Sequence, residues 1–108
     1  MIFEEYELID FFNNVPKKDE WSLLFESEKK DGFVLHMFLH MEGKINVSLW
    51  ISWNDEIIFS GDYNDILEIK KFQKNELVVK LRSKYWIFLR SKNNCYTIEL
   101  EDKSEICD

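Results

Sequence analysis

The feature that most constrains this chain is an alternation of two residue sets over nine positions. The first set is Ile45, Val47, Leu49, Ile51 and Trp53, and the intervening set, which continues into the following turn, is Asn46, Ser48, Trp50, Ser52 and Asn54. Side chains of a β-strand point to opposite faces in turn, so a period of two is typical of a strand with one buried face. A helix would instead repeat its apolar residues every three or four positions. This segment therefore predicts a half-buried strand.

Seven more segments carry a strand pattern, and short turn-forming stretches separate them. The eight predicted strands cover residues 21–26, 33–41, 45–53, 56–60, 66–72, 77–83, 85–90 and 95–101, with a polar loop over 61–65. Parallel neighbours need crossovers of a dozen or more residues, so links this short predict antiparallel pairing. The predicted fold class is mainly β (α+β), with an antiparallel meander over about 21–101. A meander of this length is expected to curl into a barrel or half-barrel.

One helix is predicted before the meander, over about residues 3–14. Its apolar stripe is Leu8, Phe11, Phe12 and Val15, and its first turns carry Glu4, Glu5 and Glu7. These carboxylates complement the positive end of the helix dipole. Pro16 disfavours helical geometry at the residue before it, and residues 17–20 are predicted to be a polar link. The second face of the strands is partly apolar; the helix is the expected cover for part of it, and a partner protein could cover the rest.

Length and composition favour one domain over residues 1–108, with a polar C-terminal tail at 102–108. The chain is 45% hydrophobic, which suffices for a core, and no apolar run reaches the roughly 20 residues of a membrane span. Its acidic start differs from a basic signal peptide, so we expect a cytoplasmic protein without a membrane partner. Cys95 and Cys107 are then expected to be reduced thiols, although a disulfide between them stays open.

Motifs for catalysis or metal binding are weak in this sequence. The only histidines are His36 and His40, which lie on the same side of a predicted strand and roughly 13 Å apart along it. One ion cannot bridge that distance, and catalytic zinc normally takes three protein ligands. No nucleophile is paired with a base in the sequence. We expect no catalytic residues, no metal, no cofactor and no enzymatic activity.

The charge of the chain is strongly segregated, and its formal sum is −7. Residues 70–92 contain eight basic side chains against one glutamate, whereas residues 42–68 contain six acidic side chains against one lysine. Neighbouring elements of opposite charge can simply pair. The basic stretch also holds Trp86 and Phe88, a combination that single-stranded nucleic acid could use, but the net charge opposes direct nucleic-acid binding. An acidic surface would instead attract a basic macromolecule.

A partner-binding patch is predicted around the middle of the chain. Its candidate residues are Trp50, Asp55, Glu56, Asp62, Tyr63 and Asp65. The carboxylates fall in short polar loops at strand ends, where binding residues concentrate. Trp50 lies between two serines on the more polar strand face, so it either packs beneath the helix or serves as an exposed anchor. The competing interpretation is that the two loops are ordinary hairpin turns.

Two resemblances accompany these patterns. The stretch from Asp65 to Leu81, DILEIKKFQKNELVVKL, resembles the hairpins of small lipocalin-like barrels, which would imply a bound small ligand. The stretch INVSLWISW at 45–53, with EIIFS at 56–60 and on to Leu81, resembles small bacterial immunity proteins of polymorphic toxin and contact-dependent growth inhibition systems. That second resemblance implies a cytoplasmic protein that neutralises a cognate toxin, which would be basic and nuclease-like. The oligomeric state stays open.

Overall fold

The computed structural model describes residues 2–103, which form one helix and nine strands. The elements are α1 (Glu5–Phe12), β1 (Lys17–Asp19), β2 (Ser22–Glu26), β3 (Phe33–His40), β4 (Asn46–Trp53), β5 (Glu56–Tyr63), β6 (Ile66–Gln73), β7 (Glu76–Leu81), β8 (Tyr85–Ser91) and β9 (Tyr96–Asp102). The protein is thus mainly β with one helix, as the alternation predicts. Residues 104–108 of the predicted tail, including Cys107, lie outside the described residues. A disulfide between Cys95 and Cys107 therefore stays open.

Helix α1 buries Leu8, Phe11 and Phe12, as their spacing predicts. It ends at Asn13, whose left-handed backbone (φ 58°) lets its N–H donate to a carbonyl oxygen of the last turn at 2.7 Å. The helix is therefore two residues shorter at each end than the prediction. The assignment of Val15 to the apolar stripe is wrong, because the helix ends before it and the side chain is 74% exposed.

Ion pairs attach the helix to strands on either side. The Glu5 carboxylate lies 3.1 Å from the Lys18 ammonium of β1, and Asp10 pairs with Lys71 of β6. Part of the acidic N-terminal segment is thereby neutralised within the molecule. In the part of the chain that the structure describes, no helix has the length and apolar character of a membrane span.

Strands β1 to β5 form one antiparallel sheet in chain order. Asn54 and Asp55 connect β4 to β5, and both have positive φ (49° and 68°), which tight two-residue hairpin turns require. The prediction of a polar link at residues 17–20 is wrong, because Lys17 pairs with Leu24 and residues 17–19 form β1. All three residues of β1 are exposed, so the strand has no apolar alternation that the sequence could reveal.

Strand β5 is longer than the sequence pattern predicts. The polar loop expected at 61–65 is wrong for its first three positions, because β5 continues to Tyr63 and residues 61–63 pair with β4. Gly61 lies opposite Leu49, and Asp62 lies opposite Ser48. Pairing with a neighbouring strand holds this segment extended, a tertiary influence that local composition does not report. Only residues 64 and 65 remain between the two sheets.

Strands β6 to β9 form a second antiparallel sheet, again in chain order. Among the described strands, none pairs across the two sheets, so closure into a barrel or half-barrel is not confirmed. The two-residue link after Tyr63 carries the chain from the first sheet to the second. Its Asp65 has positive φ (54°), and the Arg82 N–H donates to its carbonyl oxygen at 3.0 Å.

The core is one cluster formed by the inward faces of both sheets and by α1. Its large fully buried side chains are Leu8, Phe12, Phe25, Leu35, Met37, Leu39, Val47, Leu49, Ile69, Leu77, Ile87 and Leu89. Phe12 of the helix stacks on Phe25 of β2, with ring centroids 5.4 Å apart. The helix therefore belongs to the core, and the expectation that it covers the second strand face is wrong. Trp53, which the alternation places inside, is exposed where β4 ends.

Candidate functional site

The first sheet turns one face to the core and the other, which we term the outer face, away from it. The outer face carries Leu24, Glu26, Val34, His36, Phe38, Ser48, Trp50, Ser52, Ser60 and Asp62. Directly paired residues of antiparallel strands share a face. One row across β3, β4 and β5 is therefore His36, Trp50 and Ser60, and the next row is Phe38, Ser48 and Asp62. An indole and a carboxylate of the predicted patch thus lie on one surface.

A hydrogen-bonded chain crosses the outer face and ends beside Trp50. Nδ1 of His36 lies 2.8 Å from the Glu26 carboxylate, and Nε2 lies 2.9 Å from the Ser52 hydroxyl. The Trp50 indole stacks on the same imidazole at 4.8 Å between centroids, with planes 6° apart. Because both ring nitrogens have partners, the imidazole is held in one orientation. Trp50 consequently packs on His36, and its predicted position beneath the helix is wrong.

The order serine, histidine, carboxylate is also the order of a hydrolytic triad. Ser52 and His36 line a surface cavity of about 460 Å³, together with Asn14, Lys17 and other residues. The Glu26 and Asp55 side chains line the same cavity. A triad also needs hydrogen-bond donors that stabilise a negative oxyanion, and the Asp55 carboxylate, an acid additional to that of Glu26, would oppose that charge. The electrostatics of this cavity therefore favour a structural role for the hydrogen-bonded residues Glu26, His36 and Ser52 over acyl transfer.

The facing of His36, Trp50 and Ser52 can be derived from the sequence once the strands are folded into a hairpin, although the strand pattern alone does not show it. Folding the predicted third strand onto the second about Gly43 sets His36 opposite Trp50, which is the observed register. Ser52 then lies one pair further along the same face, beside Val34. The position of Glu26 required the register of β2 as well. A search of the sequence for adjacent nucleophiles and bases misses such a cluster, because its members come from three strands.

The structure brings only part of the predicted patch together. Trp50 and Asp62 lie on the outer face, and Asp55 and Glu56 lie at the β4–β5 turn, at one end of the same hairpin. Within residues 2–103, no ion pair engages these three carboxylates. They therefore give this end and face of the sheet an uncompensated negative charge.

Tyr63 lies on the opposite face of β5 from Asp62 and away from Trp50. It pairs with Val47 and packs against the core. Burial, and secondarily the charge of Asp62, raise the pKa of the Tyr63 phenol above its usual value of 10.0. A methyl group at Gly61 would come within 2.6 Å of the Tyr63 hydroxyl, so the glycine leaves room for this ring.

Asp65 differs from the other carboxylates because a cation already faces it. The Lys44 ammonium lies 3.7 Å from its carboxylate, and both side chains are largely exposed. Such exposed pairs contribute little to stability, but they reduce the negative potential that a partner would meet. Asp65 is therefore the weakest of the predicted carboxylate contacts.

Strand β5 also presents apolar side chains that the predicted patch leaves out. Ile57, Ile58 and Phe59 are 65%, 55% and 40% exposed, and the strand is the last of its sheet. A shift in the β4–β5 register between Ile51 and Ser52 leaves Ile58 without a paired residue on β4. Exposed apolar residues on a strand edge are typical of an interaction surface.

Three residues of the basic stretch, Lys70, Lys80 and Arg90, lie on the outward face of the second sheet with Trp86 and Phe88. The Lys80 ammonium lies 4.4 Å from the Trp86 ring centroid and 3.2 Å from the Glu68 carboxylate. Arg90 covers Phe88 at 4.7 Å from its guanidinium carbon and binds two carboxylates, at 2.7 and 3.0 Å. The two carboxylates belong to Glu76 and Glu99.

These contacts engage two of the basic groups of the second sheet, Lys80 and Arg90, within the protein. A hydrogen bond to Glu76 raises the pKa of Arg90 above its ordinary value, because the bond stabilises the charged guanidinium. Cations that are already paired with carboxylates are poor ligands for phosphate, because a phosphate would have to displace them. At Lys80 and Arg90, beside the two aromatic rings, the arrangement counts against the single-stranded nucleic-acid alternative.

Among residues 2–103, no group of three or more His, Cys, Asp or Glu side chains is placed to hold a metal ion. His36 is already engaged by Glu26 and Ser52.

Together, the elements define a two-sheet antiparallel β protein with a helix packed into its core. A similar fold occurs in a solved structure described as a contact-dependent growth inhibition toxin–immunity protein complex from Klebsiella pneumoniae 342. The superposition with one chain of that structure has a TM-score of 0.73 and 16% sequence identity, and it covers 91% of this chain and 92% of the other. At this identity the likeness establishes a shared fold. No protein-family model and no curated protein matched the sequence.

Proposed function

We propose that this chain is an immunity protein of a contact-dependent growth inhibition system, which binds and neutralises a cognate toxin domain. The observation that carries the proposal is the structural likeness over 91% of the chain to a component of a toxin–immunity complex. The resemblance of the strand segments from Ile45 to Leu81 to immunity proteins points the same way. The protein would act in the cytoplasm by binding, without catalysis of its own.

The proposed binding surface is the acidic and aromatic side of the β4–β5 hairpin. Trp50 would be the anchor, since a large aromatic ring fixed by its neighbours is typical of an interface hot spot. Asp55, Glu56 and Asp62 would meet basic groups of the toxin. Tyr63 and Asp65 complete the predicted patch but would contribute less, because one packs inward and the other faces Lys44.

The charge of this surface suggests the chemistry of the partner. Nuclease-like toxins bind polyanions, so their substrate sites are basic. An acidic surface that covers such a site gains long-range attraction and also excludes the substrate. The net charge of −7, with basic residues engaged on the other sheet, fits this arrangement. We therefore propose a basic, nuclease-like toxin domain.

The lipocalin-like alternative receives less support from the fold. Large side chains, including Phe12, Phe25 and Met37, are fully buried between the sheets where a ligand would lie. Holding a small molecule in that position would require displacing part of the core. A thermal-shift series with apolar ligands gives the comparison: ligand-dependent stabilisation would favour the carrier, and its absence together with toxin binding would favour the immunity protein.

The decisive experiment uses the toxin domain encoded by the reading frame next to this chain. We expect its expression to stop bacterial growth, and co-expression of this chain to restore growth through a complex that co-purifies. This chain expressed alone should leave growth unchanged, which distinguishes an immunity protein from the toxin of such a pair. Toxicity of this chain alone, or failure to bind and protect, would contradict the proposal.

A further inference from the structure

The edges of the two sheets differ in how they are protected. An edge strand exposes unpaired backbone N–H and C=O groups, and proteins usually block it by shortness, by charge or by a covering segment. Strand β1, at one edge of the first sheet, has three residues, two of them lysines. In the second sheet, the Ile69 N–H of edge strand β6 donates to the Ile2 carbonyl oxygen at 2.8 Å. Edge strand β9 carries Glu99 and Glu101.

Strand β5 is neither short nor covered along its described surroundings, and its two charged residues, Glu56 and Asp62, lie near its ends. It is eight residues long, and the segment from Ile57 to Asp62 contains neither lysine nor proline. Three consecutive apolar side chains, Ile57, Ile58 and Phe59, are exposed in its first half. In a monomer such an edge invites pairing with another strand. The edge is therefore available for an intermolecular contact.

We infer that β5 accepts an extended strand of the toxin, which continues the five-stranded sheet across the interface. This inference rests on the proposed function and adds the mode of binding to it. The incoming strand would be basic, because Asp55 and Glu56 lie at one end of β5 and Asp62 near the other. Backbone hydrogen bonds would supply much of the affinity, and contacts with alternate side chains would supply the specificity.

The charges of β5 also argue against a second copy of this chain as the occupant. An antiparallel pair of β5 strands centred on Phe59 would place Glu56 of each copy opposite Asp62 of the other. Like charges directly opposite each other destabilise a strand pair. A basic strand at the same position would instead gain opposite-charge pairs at both ends. In this register the charges disfavour a second copy and favour a basic partner strand.

Hydrogen–deuterium exchange of this chain, free and bound to the inactivated toxin domain, tests the inference. We expect amides within residues 56–63 to exchange at least about tenfold more slowly in the complex, because new backbone hydrogen bonds form there. Protection confined to other segments, in a complex that does form, would overturn strand addition and leave the proposed function intact. Failure to form any complex would instead contradict the proposed function.

A pair of matched variants provides a second readout. Ile58 on β5 and Leu100 on β9 are both 55% exposed and both lie on edge strands. Lysine on an edge blocks strand addition, so Ile58→Lys should weaken toxin binding by about tenfold or more. Leu100→Lys should change it by less than about twofold, because it adds the same charge to the edge of the other sheet. Equal effects would overturn the inference.

The free protein supplies the remaining outcome. Sedimentation of the chain alone should show a monomer across a wide range of concentration. A dimer whose β5 amides become protected as the concentration rises would identify a second copy as the occupant. That result would overturn the assignment of the edge to the toxin, and toxin binding without β5 protection would still support the immunity function.

Discussion

The indole of Trp50 and the imidazole of His36 stack across neighbouring strands, with centroids 4.8 Å apart and planes 6° apart. His36 is in turn held by Glu26 and Ser52, at 2.8 and 2.9 Å. A side chain that is fixed before binding loses less conformational entropy when a partner covers it. The cluster thus prepares Trp50 for contact with another macromolecule.

Substitution Trp50→Ala should therefore lower toxin affinity substantially. Truncation of an interface hot spot costs about 2 kcal/mol or more, which corresponds to roughly 30-fold in affinity. Titration calorimetry with the inactivated toxin domain measures this loss. Trp21→Ala is the control, since that indole is half exposed before β2 and outside the proposed surface. Comparable losses for both variants would remove Trp50 from the interface.

Charge reversal at Asp62 should slow toxin association more than charge reversal at Asp65, because only Asp65 is paired with a lysine. Asp62→Lys should slow association with the toxin by roughly tenfold at low ionic strength, because it weakens the attraction of a basic partner. Asp65→Lys should have a smaller effect, because the Lys44 ammonium at 3.7 Å already offsets its charge. Stopped-flow association rates at several ionic strengths measure both effects.

Salt provides the internal control for this pair. Screening at high ionic strength should bring the association rate of Asp62→Lys close to that of the unmodified chain. A rate difference that persists at high salt would indicate a local structural change. Equal rates for the Asp62 variant and the unmodified chain at low salt would exclude Asp62 from electrostatic steering.

Much of the fold was predictable because most strands carry one buried face. The alternation around Leu49 identified β4, and turn residues such as Asn54 and Asp55 marked the ends of hairpins. Strand β1 was missed because all of its side chains are exposed. The end of β5 was missed because the pairing of Asp62 with Ser48 is a tertiary contact, which a polar sequence does not signal.

The candidate site was predictable in composition but not in arrangement. The acidic residues near Trp50 were identifiable, yet the sequence did not indicate that Tyr63 faces inward or that Lys44 lies beside Asp65. Their positions follow from the register of β4 and β5, including its shift after Ile51. The separation into two sheets likewise depends on the two-residue link at 64–65, which has the length of an ordinary hairpin turn.

Removing the Ser52 hydroxyl tests whether the outer-face cluster performs chemistry. Ser52→Ala should lower the free energy of unfolding by about 1 kcal/mol, because it leaves Nε2 of the part-buried His36 without its hydrogen-bond partner. We expect the variant to protect cells from the toxin as well as the unmodified chain does. Denaturant unfolding and growth of co-expressing cells measure the two properties.

A covalent probe makes the same test direct. A fluorophosphonate labels serines that a neighbouring base activates, so we expect no adduct at Ser52 in the folded protein. An adduct at Ser52, together with lost protection by Ser52→Ala in a variant that still binds the toxin, would show that catalysis contributes to immunity.

Alkaline pH should destabilise the protein in part through Tyr96. Its hydroxyl donates to the Glu28 carbonyl oxygen at 2.6 Å, and burial raises its pKa above the usual value of 10.0. Above about pH 10 the unfolded chain therefore loses this proton before the folded protein does. The folded state then binds more protons, so the free energy of unfolding falls as pH rises and levels off above the folded pKa.

The variant Tyr96→Phe isolates this contribution. It should cost about 1 kcal/mol at neutral pH through the lost hydrogen bond, and its stability should then decline less steeply above pH 10 than that of the unmodified chain. Denaturant unfolding between neutral and alkaline pH measures both slopes. Lysines also titrate in this range, but they are common to the two proteins, so the difference between the slopes reports Tyr96. Parallel slopes would show that this phenol ionises equally in the folded and unfolded states.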